Sequence, residues 1–334
     1  MLSRIYNAVG SQVNRIDSLN RAAFDPTTPQ HPAVDRWKIV HYGIMVPDLP
    51  APFQFFDMIS VLGTAKRVRA FSVPSLAKTA GDDTAWLLVG SAATRNSFRQ
   101  YGIESECELA ADGSDLRFGD AVRIEHSANG IQMTAAVDDV RVELSIKPTD
   151  AVSHFAHIPS VYDHWSVLCE YTGTFTIGGN SVDTAGLCTY EYARGRQAPL
   201  PIHFFTYQIL NVTPTTQVLM TDLSGPGGLP IQRMVFVRDL NAGGSTYQRG
   251  FAHQVTEPGS VITTPDGLAM PLPGRFTWRV DDAEGDELIK IVGISNDDWA
   301  YGMAAGFAGS YEYTGSLRGE PISGRGYIEW IDRR

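Results

Sequence analysis

The sequence predicts an all-β protein that begins with an amphipathic helix and continues as two barrel or sandwich units. From about Trp37 onward, short segments alternate in polarity or are rich in β-branched and aromatic residues, as expected of half-buried strands. Turn signals separate these segments, and almost no helical periodicity follows residue 60. The 334 residues contain too many such segments for one small barrel, so we expect two units.

The N-terminal segment predicts the helix, because its apolar residues recur at three- and four-residue steps. They are Leu2, Ile5, Val9, Val13, Ile16 and Leu19. Three prolines between Phe24 and Ala33 then indicate a linker. We expect the helix to dock on the rest of the chain or at a contact between the subunits of a homodimer. The alternative is peripheral contact with a membrane surface.

The strands follow in order, and the clearest signal is a hairpin. Gly173–Ile177 and Ser181–Leu187 flank the run Gly178-Gly179-Asn180, which suits a tight turn with positive φ. Other candidate strands are Ala85–Leu88, Val122–His126, Ile131–Ala136, Val140–Lys147, His203–Asn211, Gln217–Asp222, Arg233–Arg238, Phe276–Val280, Glu287–Ile294 and Phe307–Gly315. Loops at 226–228, 241–244 and 265–267 separate the later ones.

Composition and charge exclude several classes of function. Lys and Arg number 27 against 37 Asp and Glu, a net charge of −10, so we expect no nucleic-acid partner. The 3 cysteines are too few for a disulfide framework. No apolar stretch of the sequence reaches the roughly 20 residues that cross a bilayer, and the N-terminus lacks the apolar core of a signal peptide. We therefore expect a cytoplasmic protein.

The common cofactor and nucleophile motifs are absent from the sequence. It contains no phosphate-binding loop, no Rossmann glycine fingerprint, no His-Glu-x-x-His and no Gly-x-Ser-x-Gly, and we expect no cofactor. His154, His157, Asp163 and His164 lie close together, but their spacing matches no compact metal-ligand pattern. We interpret them as loop histidines and a strand-start pair, and we predict no metal site.

Ionisable residues gather at the two ends of the long hairpin. Asp163 and His164 begin one strand, and Glu191 and Arg194 end the next. Antiparallel pairing predicts that they meet at one mouth of a barrel. A carboxyl group surrounded there by aromatic rings has a raised pKa and donates a proton; the rings are Trp165, Tyr190 and Tyr192. The alternative is a structural ion pair, and the residues alone favour neither.

Five segments, taken in order, resemble the AttH and carotenoid 1,2-hydratase superfamily. They are Val142–Thr149, Tyr162–Ser166, Tyr171–Gly186, His203–Leu210 and Gly324–Glu329. The third is similar to the family hairpin G-x-(V/L/F)-x-(V/I)-x-G-x-x-x-x-V-x-G, and the last to its closing G-x-G-Y-x-E. Glu191 stands where the family has an acidic residue, usually Asp, whereas Thr189 and Arg194 stand in place of tryptophans. The chain therefore resembles a divergent member.

The resemblance implies two lipocalin-like antiparallel β-barrels packed side by side, with an N-terminal amphipathic helix. The implied domains are residues 1–35 for the helix and linker, 36–195 for the first barrel and 196–334 for the second. A hydrophobic ligand is then expected in or between the barrels. Members of the superfamily hydrate isoprenoid or phenolic side-chain double bonds or cyclise polyketides, and others have no assigned activity.

On this resemblance we expect a cofactor-independent enzyme that hydrates a carbon–carbon double bond of an apolar, isoprenoid or polyketide-like molecule. The predicted catalytic residues are Glu191 as the acid, Asp163 or His164 to position water, and Arg194. The predicted substrate-binding residues are Trp165, Tyr190, Tyr192, His203, Phe204 and Tyr207. The alternatives are a cyclase or isomerase in the same cavity, and a lipid or terpenoid carrier without chemistry.

Overall fold

Two antiparallel sheets account for most of the chain. A computed structural model describes residues 16–32, 37–63, 68–71, 73–94, 97–196, 201–303 and 305–334. Residues 16–20 are helical and Ile16 is buried, while the predicted helix positions Leu2, Ile5, Val9 and Val13 lie outside the described residues. No helix in this part of the chain is long and apolar enough to cross a membrane.

The first sheet contains 11 strands in the order β4-β3-β2-β1-β11-β10-β9-β8-β7-β6-β5. Their bounds are β1 Ile39–Val46, β2 Phe56–Leu62, β3 Thr84–Gly90, β4 Arg99–Gly102, β5 Cys107–Leu109, β6 Asp115–Phe118, β7 Val122–Ser127, β8 Gly130–Val137, β9 Val140–Ile158, β10 Tyr162–Ile177 and β11 Asn180–Gly195. A short helix, Ile103–Glu106, connects β4 to β5. Single 3₁₀ turns lie at Arg69–Phe71, Pro74–Leu76 and Gly81–Asp83.

The second sheet contains 10 strands in the order β15-β14-β13-β12-β21-β20-β18-β17-β16, with β19 paired to β20. Their bounds are β12 Phe204–Asn211, β13 Thr216–Ser224, β14 Pro230–Asp239, β15 Gly243–Tyr247, β16 Ala252–Thr263, β17 Ala269–Asp281, β18 Glu287–Ser295, β19 Ala300–Met303, β20 Gly306–Leu317 and β21 Glu320–Asp332. A 3₁₀ turn, Pro226–Gly228, lies between β13 and β14.

Both sheets follow the same connectivity. In each, the first strand pairs antiparallel with the last, β1 with β11 and β12 with β21. The two edges of each sheet are consecutive in the chain, β4 and β5 in the first and β15 and β16 in the second. This is the connectivity of an up-and-down meander rolled into a barrel. The predicted all-β fold is confirmed; the domain boundaries given above stay a prediction.

The long hairpin predicted from the sequence is present. Gly178 and Gly179 have φ values of 54° and 83°, and Ile177 pairs with Asn180 across the turn. β10 and β11 each run for 16 residues on either side of it. Because successive side chains of a strand point to opposite faces, these strands present one face to the barrel interior and the other to the outside.

Three apolar clusters show where each face lies. One fills the first barrel and includes Tyr190, and a second fills the second barrel and includes Trp278. The third contains residues from both sheets, among them Phe155 and Tyr207. The two barrels therefore pack side by side through the outer faces of their strands, and we call this region the inter-barrel contact.

Candidate functional site

Glu191 lies in the inter-barrel contact and not in the mouth of one barrel. Its neighbours on β11, Tyr190 and Tyr192, pack inside the first barrel, so the side chain between them points to the opposite face. Only 4% of Glu191 is exposed. The prediction that Tyr190 and Tyr192 surround this carboxyl group is therefore wrong, because strand alternation separates them.

Two imidazole rings contact the Glu191 carboxylate. Nε2 of His164, on β10, is hydrogen-bonded to Oε1, and Nε2 of His41, on β1, lies 3.7 Å from the same oxygen. Nδ1 of His41 lies 3.0 Å from the carbonyl oxygen of Ser60, and Nδ1 of His164 lies 3.1 Å from the Tyr162 hydroxyl. These outer contacts hold both rings with Nε2 toward Glu191.

The imidazoles control the charge of Glu191. Burial alone raises the pKa of a carboxyl group, but the interactions with His164 and His41 outweigh burial and lower the pKa of Glu191 to about 2. Glu191 is therefore ionised at neutral pH, which does not fit its predicted role as the proton donor. Its second oxygen, Oε2, is buried without a hydrogen-bond partner among the described residues.

The same three side chains have the composition of a cation site. His41, His164 and Glu191 each offer one donor atom, and these atoms lie within 4.8 Å of one another. Two imidazoles and a carboxylate suit zinc or iron. In the structure, His164 and Glu191 are hydrogen-bonded to each other. That the protein holds no metal stays a prediction.

A second buried carboxyl pair lies in the same contact. The Tyr327 hydroxyl is 2.9 Å from Oδ2 of Asp57 and 3.0 Å from Oε1 of Glu329. One hydroxyl has one proton to donate, so one of the two carboxyl groups is itself protonated and donates to the tyrosine oxygen. Burial raises the pKa of Asp57 to about 7. Burial and the charge of Glu191 raise the pKa of Glu329 well above its usual range, which makes Glu329 the protonated partner.

Tyr207 and Arg238 complete the inter-barrel contact. The Tyr207 hydroxyl is buried and has no hydrogen-bond partner in the described part of the chain. Burial raises its pKa, and the charges of Glu191 and Glu329 act in the same direction. Arg238, on β14, is fully buried and donates to the carbonyl and hydroxyl oxygens of Ser166 at 3.0 and 2.8 Å. The guanidinium group of Arg238, in the second sheet, is thus hydrogen-bonded to the first sheet.

Comparison with known families assigns the chain. Residues 59–334 match DUF6670, described as a family of unknown function. This chain belongs to the DUF6670 family. Among curated proteins, no sequence matches it significantly.

Two solved structures resemble this DUF6670 protein over most of its length. One is a Nitrosomonas europaea protein provisionally named AttH, with a TM-score of 0.66 and 12% identity over 93% of this chain and 97% of that one. The other is kievitone hydratase from Nectria haematococca, with a TM-score of 0.54 and 12% identity over 88% of each chain. The chain therefore has the tandem lipocalin-like fold that its sequence resemblance implies.

In this DUF6670 protein the N-terminal linker is hydrogen-bonded to side chains of the first-barrel interior. The Tyr190 hydroxyl donates to Oε1 of Gln30 at 2.5 Å, and the Tyr192 hydroxyl donates to the carbonyl oxygen of His31 at 2.9 Å. The Trp165 ring packs 5.6 Å from the Tyr192 ring. These three predicted substrate-binding residues are thus in contact with the protein's own linker or with each other.

Asp163 and Arg194 pair with each other at the ends of β10 and β11. Nη2 of Arg194 lies 3.1 Å from Oδ2 of Asp163, and Nδ1 of His157 lies 2.6 Å from the other oxygen. Strand alternation turns both side chains away from the face that carries Glu191. The predicted convergence of four ionisable residues is therefore corrected: only His164 joins Glu191, and Asp163 with Arg194 forms the alternative structural ion pair.

The remaining predicted residues lie in different parts of the second barrel. Phe204 begins β12 and faces the barrel interior, 4.9 Å from the Trp330 ring. His203 precedes it and is half-buried, with its backbone N–H donating to the carbonyl of Ser224 at 2.9 Å. Of the predicted substrate-binding residues, Tyr207 is the one that reaches the carboxyl groups of the inter-barrel contact.

A cavity of about 410 Å³ lies where the two sheets meet, and its lining includes Leu187 and Arg325. Leu187 precedes Glu191 by four residues on β11, and Arg325 precedes Glu329 by four residues on β21. At a rise of about 3.3 Å per residue, the cavity lies roughly 13 Å along both strands from the two carboxyl groups. The cavity is therefore lined by residues of both strands that carry these carboxyl groups.

Sequence reasoning did not single out His41, Asp57 or Glu329 as site residues. Two of them carried a signal, because each is a lone carboxylate in an apolar strand: Phe-Phe-Asp-Met-Ile around Asp57 and Tyr-Ile-Glu-Trp-Ile around Glu329. Charged residues in such strands are rarely buried without a reason. His41 has no comparable signal, since it reaches Glu191 only because β1 pairs with β11.

Proposed function

We propose that this protein is a cofactor-independent hydratase that adds water to a carbon–carbon double bond of an apolar, isoprenoid or polyketide-like molecule. The proposal rests on one observation: the inter-barrel contact contains two buried carboxyl groups, one ionised and one protonated. The pKa of Glu191 is lowered to about 2, whereas the pKa of Glu329 is raised well above its usual range. Paired groups with separated pKa values are suited to act as base and acid together.

The two groups account for every proton in the reaction. Glu329 donates its proton to one carbon of the double bond, which leaves a cation on the neighbouring carbon. A water molecule forms the new carbon–oxygen bond while Glu191, hydrogen-bonded to His164, accepts its proton. The product is an alcohol. Return of that proton to Glu329 restores the enzyme.

The surroundings of the carboxyl groups support a cationic intermediate. The inter-barrel contact is a largely apolar core that includes the rings of Phe155, Phe205 and Tyr207. Exclusion of bulk water protects a carbocation from uncontrolled capture, and aromatic faces attract positive charge. A structure of the same fold belongs to a protein named as a hydratase, which supports the reaction class and leaves the substrate to experiment.

The proposal is tested in oxygen-18 water. Purified protein is incubated with kievitone, the compound for which the similar hydratase is named, and separately with an apolar metabolite extract of the host cell. We expect mass spectrometry to find a product that has gained one labelled water. Glu329→Gln keeps the shape and the Tyr327 contact but removes the acidic proton, and Glu191→Gln removes the base. We expect each variant to form product about 10²–10⁴-fold more slowly.

Glu320→Gln is the matched control, because Glu320 begins the same strand as Glu329 and is exposed; it should retain full turnover. Unchanged turnover in Glu329→Gln contradicts the assignment of the acid. A product of unchanged mass and new retention time identifies a cyclase or isomerase instead. An apolar metabolite that co-purifies with the protein and is never altered identifies a carrier.

A further inference from the structure

The interior of the second barrel contains a polar pair that is separate from the carboxyl groups of the inter-barrel contact. Nδ1 of His253, on β16, lies 3.1 Å from Oδ2 of Asp222, whose other oxygen accepts from Nε of Arg233 at 3.0 Å. The side chains of His253 and Asp222 are only 4% and 5% exposed. When the Asp222 carboxylate accepts a hydrogen bond from Nδ1–H, an imidazole that carries one proton presents Nε2 as a hydrogen-bond acceptor.

Aromatic rings surround this imidazole. The ring centroids of Trp330, Phe204 and Phe276 lie 6.0, 6.4 and 6.4 Å from that of His253, and all three rings are buried in the second barrel. Apolar and aromatic walls around a few polar atoms are the usual lining of a small-molecule site.

Several polar atoms of the barrel interior have no hydrogen-bond partner among the described residues. They are Nε2 of His253, Oγ1 of Thr206, Nε2 of Gln208 and the hydroxyl of Tyr311. Thr206, Gln208 and Tyr311 are fully buried. Buried polar groups in folded proteins nearly always have a partner. Such a group of unpartnered atoms in one barrel therefore indicates a bound polar molecule.

Strand register brings these atoms to one region. Thr206 pairs directly with Asp222, so the threonine hydroxyl lies beside the Asp222–His253 pair. Trp278 pairs with His253 across β16 and β17, and its Nε1 donates to Oε1 of Gln208 at 2.8 Å. Directly paired residues share a face with Cβ atoms about 5 Å apart. Trp278 thus reaches across the barrel interior from the strand beside His253 to Gln208.

We propose that the second barrel binds a small aromatic or isoprenoid molecule bearing a hydroxyl and a carbonyl group. The hydroxyl donates to Nε2 of His253, and the carbonyl accepts from Nε2 of Gln208. The rings of Phe204, Phe276 and Trp330 contact the apolar body of the ligand. This site is separate from the proposed hydration chemistry, since Trp330 faces the interior of the second barrel and strand alternation turns the neighbouring Glu329 side chain to the opposite face.

The second barrel has an opening at the end where β17 turns into β18. A cavity of about 480 Å³ opens there, and its lining includes Tyr247, Asp282 and Leu288. Asp282 follows Trp278, the strand partner of His253, by four residues. The opening is therefore about 13 Å along β17 from the polar pair.

The test compares two probes that differ by a methyl group in place of the hydroxyl hydrogen. 2-Naphthol donates a hydrogen bond, and 2-methoxynaphthalene has the same ring system but no donor. Binding is followed by quenching of tryptophan fluorescence, because Trp278 and Trp330 line the site, and by calorimetry. We expect the full-length protein to bind 2-naphthol at least tenfold more tightly, since the loss of one hydrogen bond to a buried acceptor is of this order.

Two variants locate the effect. We expect His253→Phe to remove the preference for 2-naphthol, and Asp222→Asn to remove it as well, because an amide donor at Nδ1 moves the ring proton to Nε2. His157→Phe is the control, since His157 pairs with Asp163 on the first barrel, and should keep the preference. Any of three results overturns the proposal: the two probes bind with equal affinity, the preference for 2-naphthol survives in both site variants, or neither probe binds the wild-type protein.

Discussion

The buried carboxyl groups of Asp57 and Glu329 share the hydroxyl of Tyr327. This arrangement predicts how the stability of the protein depends on pH. The pKa of Asp57 is raised by burial to about 7 in the folded protein, against an unfolded value of about 3.9. A carboxyl group whose pKa is raised in the folded protein stabilises the fold, and this contribution is complete at pH values below the pKa of the group in the unfolded chain. That contribution is lost as the pH rises through the folded value.

We therefore expect Asp57→Asn to flatten the pH dependence of stability. Asparagine cannot ionise, its oxygen still accepts from the Gly90 N–H, and its amide donates to Tyr327. Between about pH 4 and 7 the wild-type free energy of unfolding should fall relative to the variant by up to about 1.4 kcal/mol per pH unit. Urea denaturation across this range measures the difference.

Asp139→Asn is the control, because Asp139 is exposed on the first sheet, and it should follow the wild type. Parallel curves for wild type and Asp57→Asn would show that Asp57 does not carry the shift. Glu191 acts with the opposite sign, since its pKa is lowered to about 2. Its contribution is present above its unfolded pKa and is lost as the pH falls toward 2.

At the scale of the strand, β1 and β11 approach each other closely at Gly43. Gly43 pairs with Glu191, and a Cβ atom at Gly43 would lie 3.2 Å from Nε2 of His41 and 3.3 Å from Cβ of Glu191. Both atoms belong to the proposed base. We expect Gly43→Ala to leave the protein folded and to lower product formation about tenfold or more, because small displacements of catalytic groups are costly.

The control for Gly43→Ala lies on the same strand as Glu191. A Cβ atom at Gly186 would meet its nearest neighbour, Cε1 of Tyr171, at 3.6 Å, an ordinary contact. Gly186→Ala should therefore match the wild type in the oxygen-18 assay and in circular dichroism. Equal activity of the two alanine variants would contradict the role given to the His41–Glu191 geometry.

The strands were predictable where the signals are local. The Gly178-Gly179-Asn180 turn predicts the long hairpin, and the hairpin register brings His164 within reach of Glu191. Strand alternation also places Glu191 on the opposite face from Tyr190 and Tyr192. This separation could have been predicted from the sequence, but the prediction of a site at the barrel mouth did not consider it.

The second group of buried carboxyls was not predictable in this way. Asp57 and Glu329 are 272 residues apart in the chain, and the Tyr327 hydroxyl joins them. That meeting depends on which outer face of each barrel is packed against the other. Local polarity patterns distinguish buried from exposed positions, but they do not identify which buried faces of two sheets pack together.

At the scale of the whole molecule, the inter-barrel contact is a continuous core that should make the two barrels unfold together. Phe155 of the first sheet packs 5.1 Å from the Phe236 ring and 5.7 Å from the Tyr207 ring of the second. Its carbonyl oxygen also accepts from Nε2 of Gln232 at 2.8 Å. Large apolar contacts between units suppress their independent motion.

We therefore expect a single calorimetric transition for the wild type and a marked effect of Phe155→Ala. Removing a buried phenylalanine side chain typically lowers the free energy of unfolding by about 3–5 kcal/mol, and here the cavity opens between the barrels, so the transition should split in two. Phe155→Leu is the matched control: it keeps most of the apolar volume, should lose less stability and should keep one transition.

Two transitions in the wild type, or equal effects of alanine and leucine, would mean that the barrels are coupled elsewhere. The carboxyl groups of Glu191 and Glu329, which come from different barrels, would then need another explanation for their fixed relation.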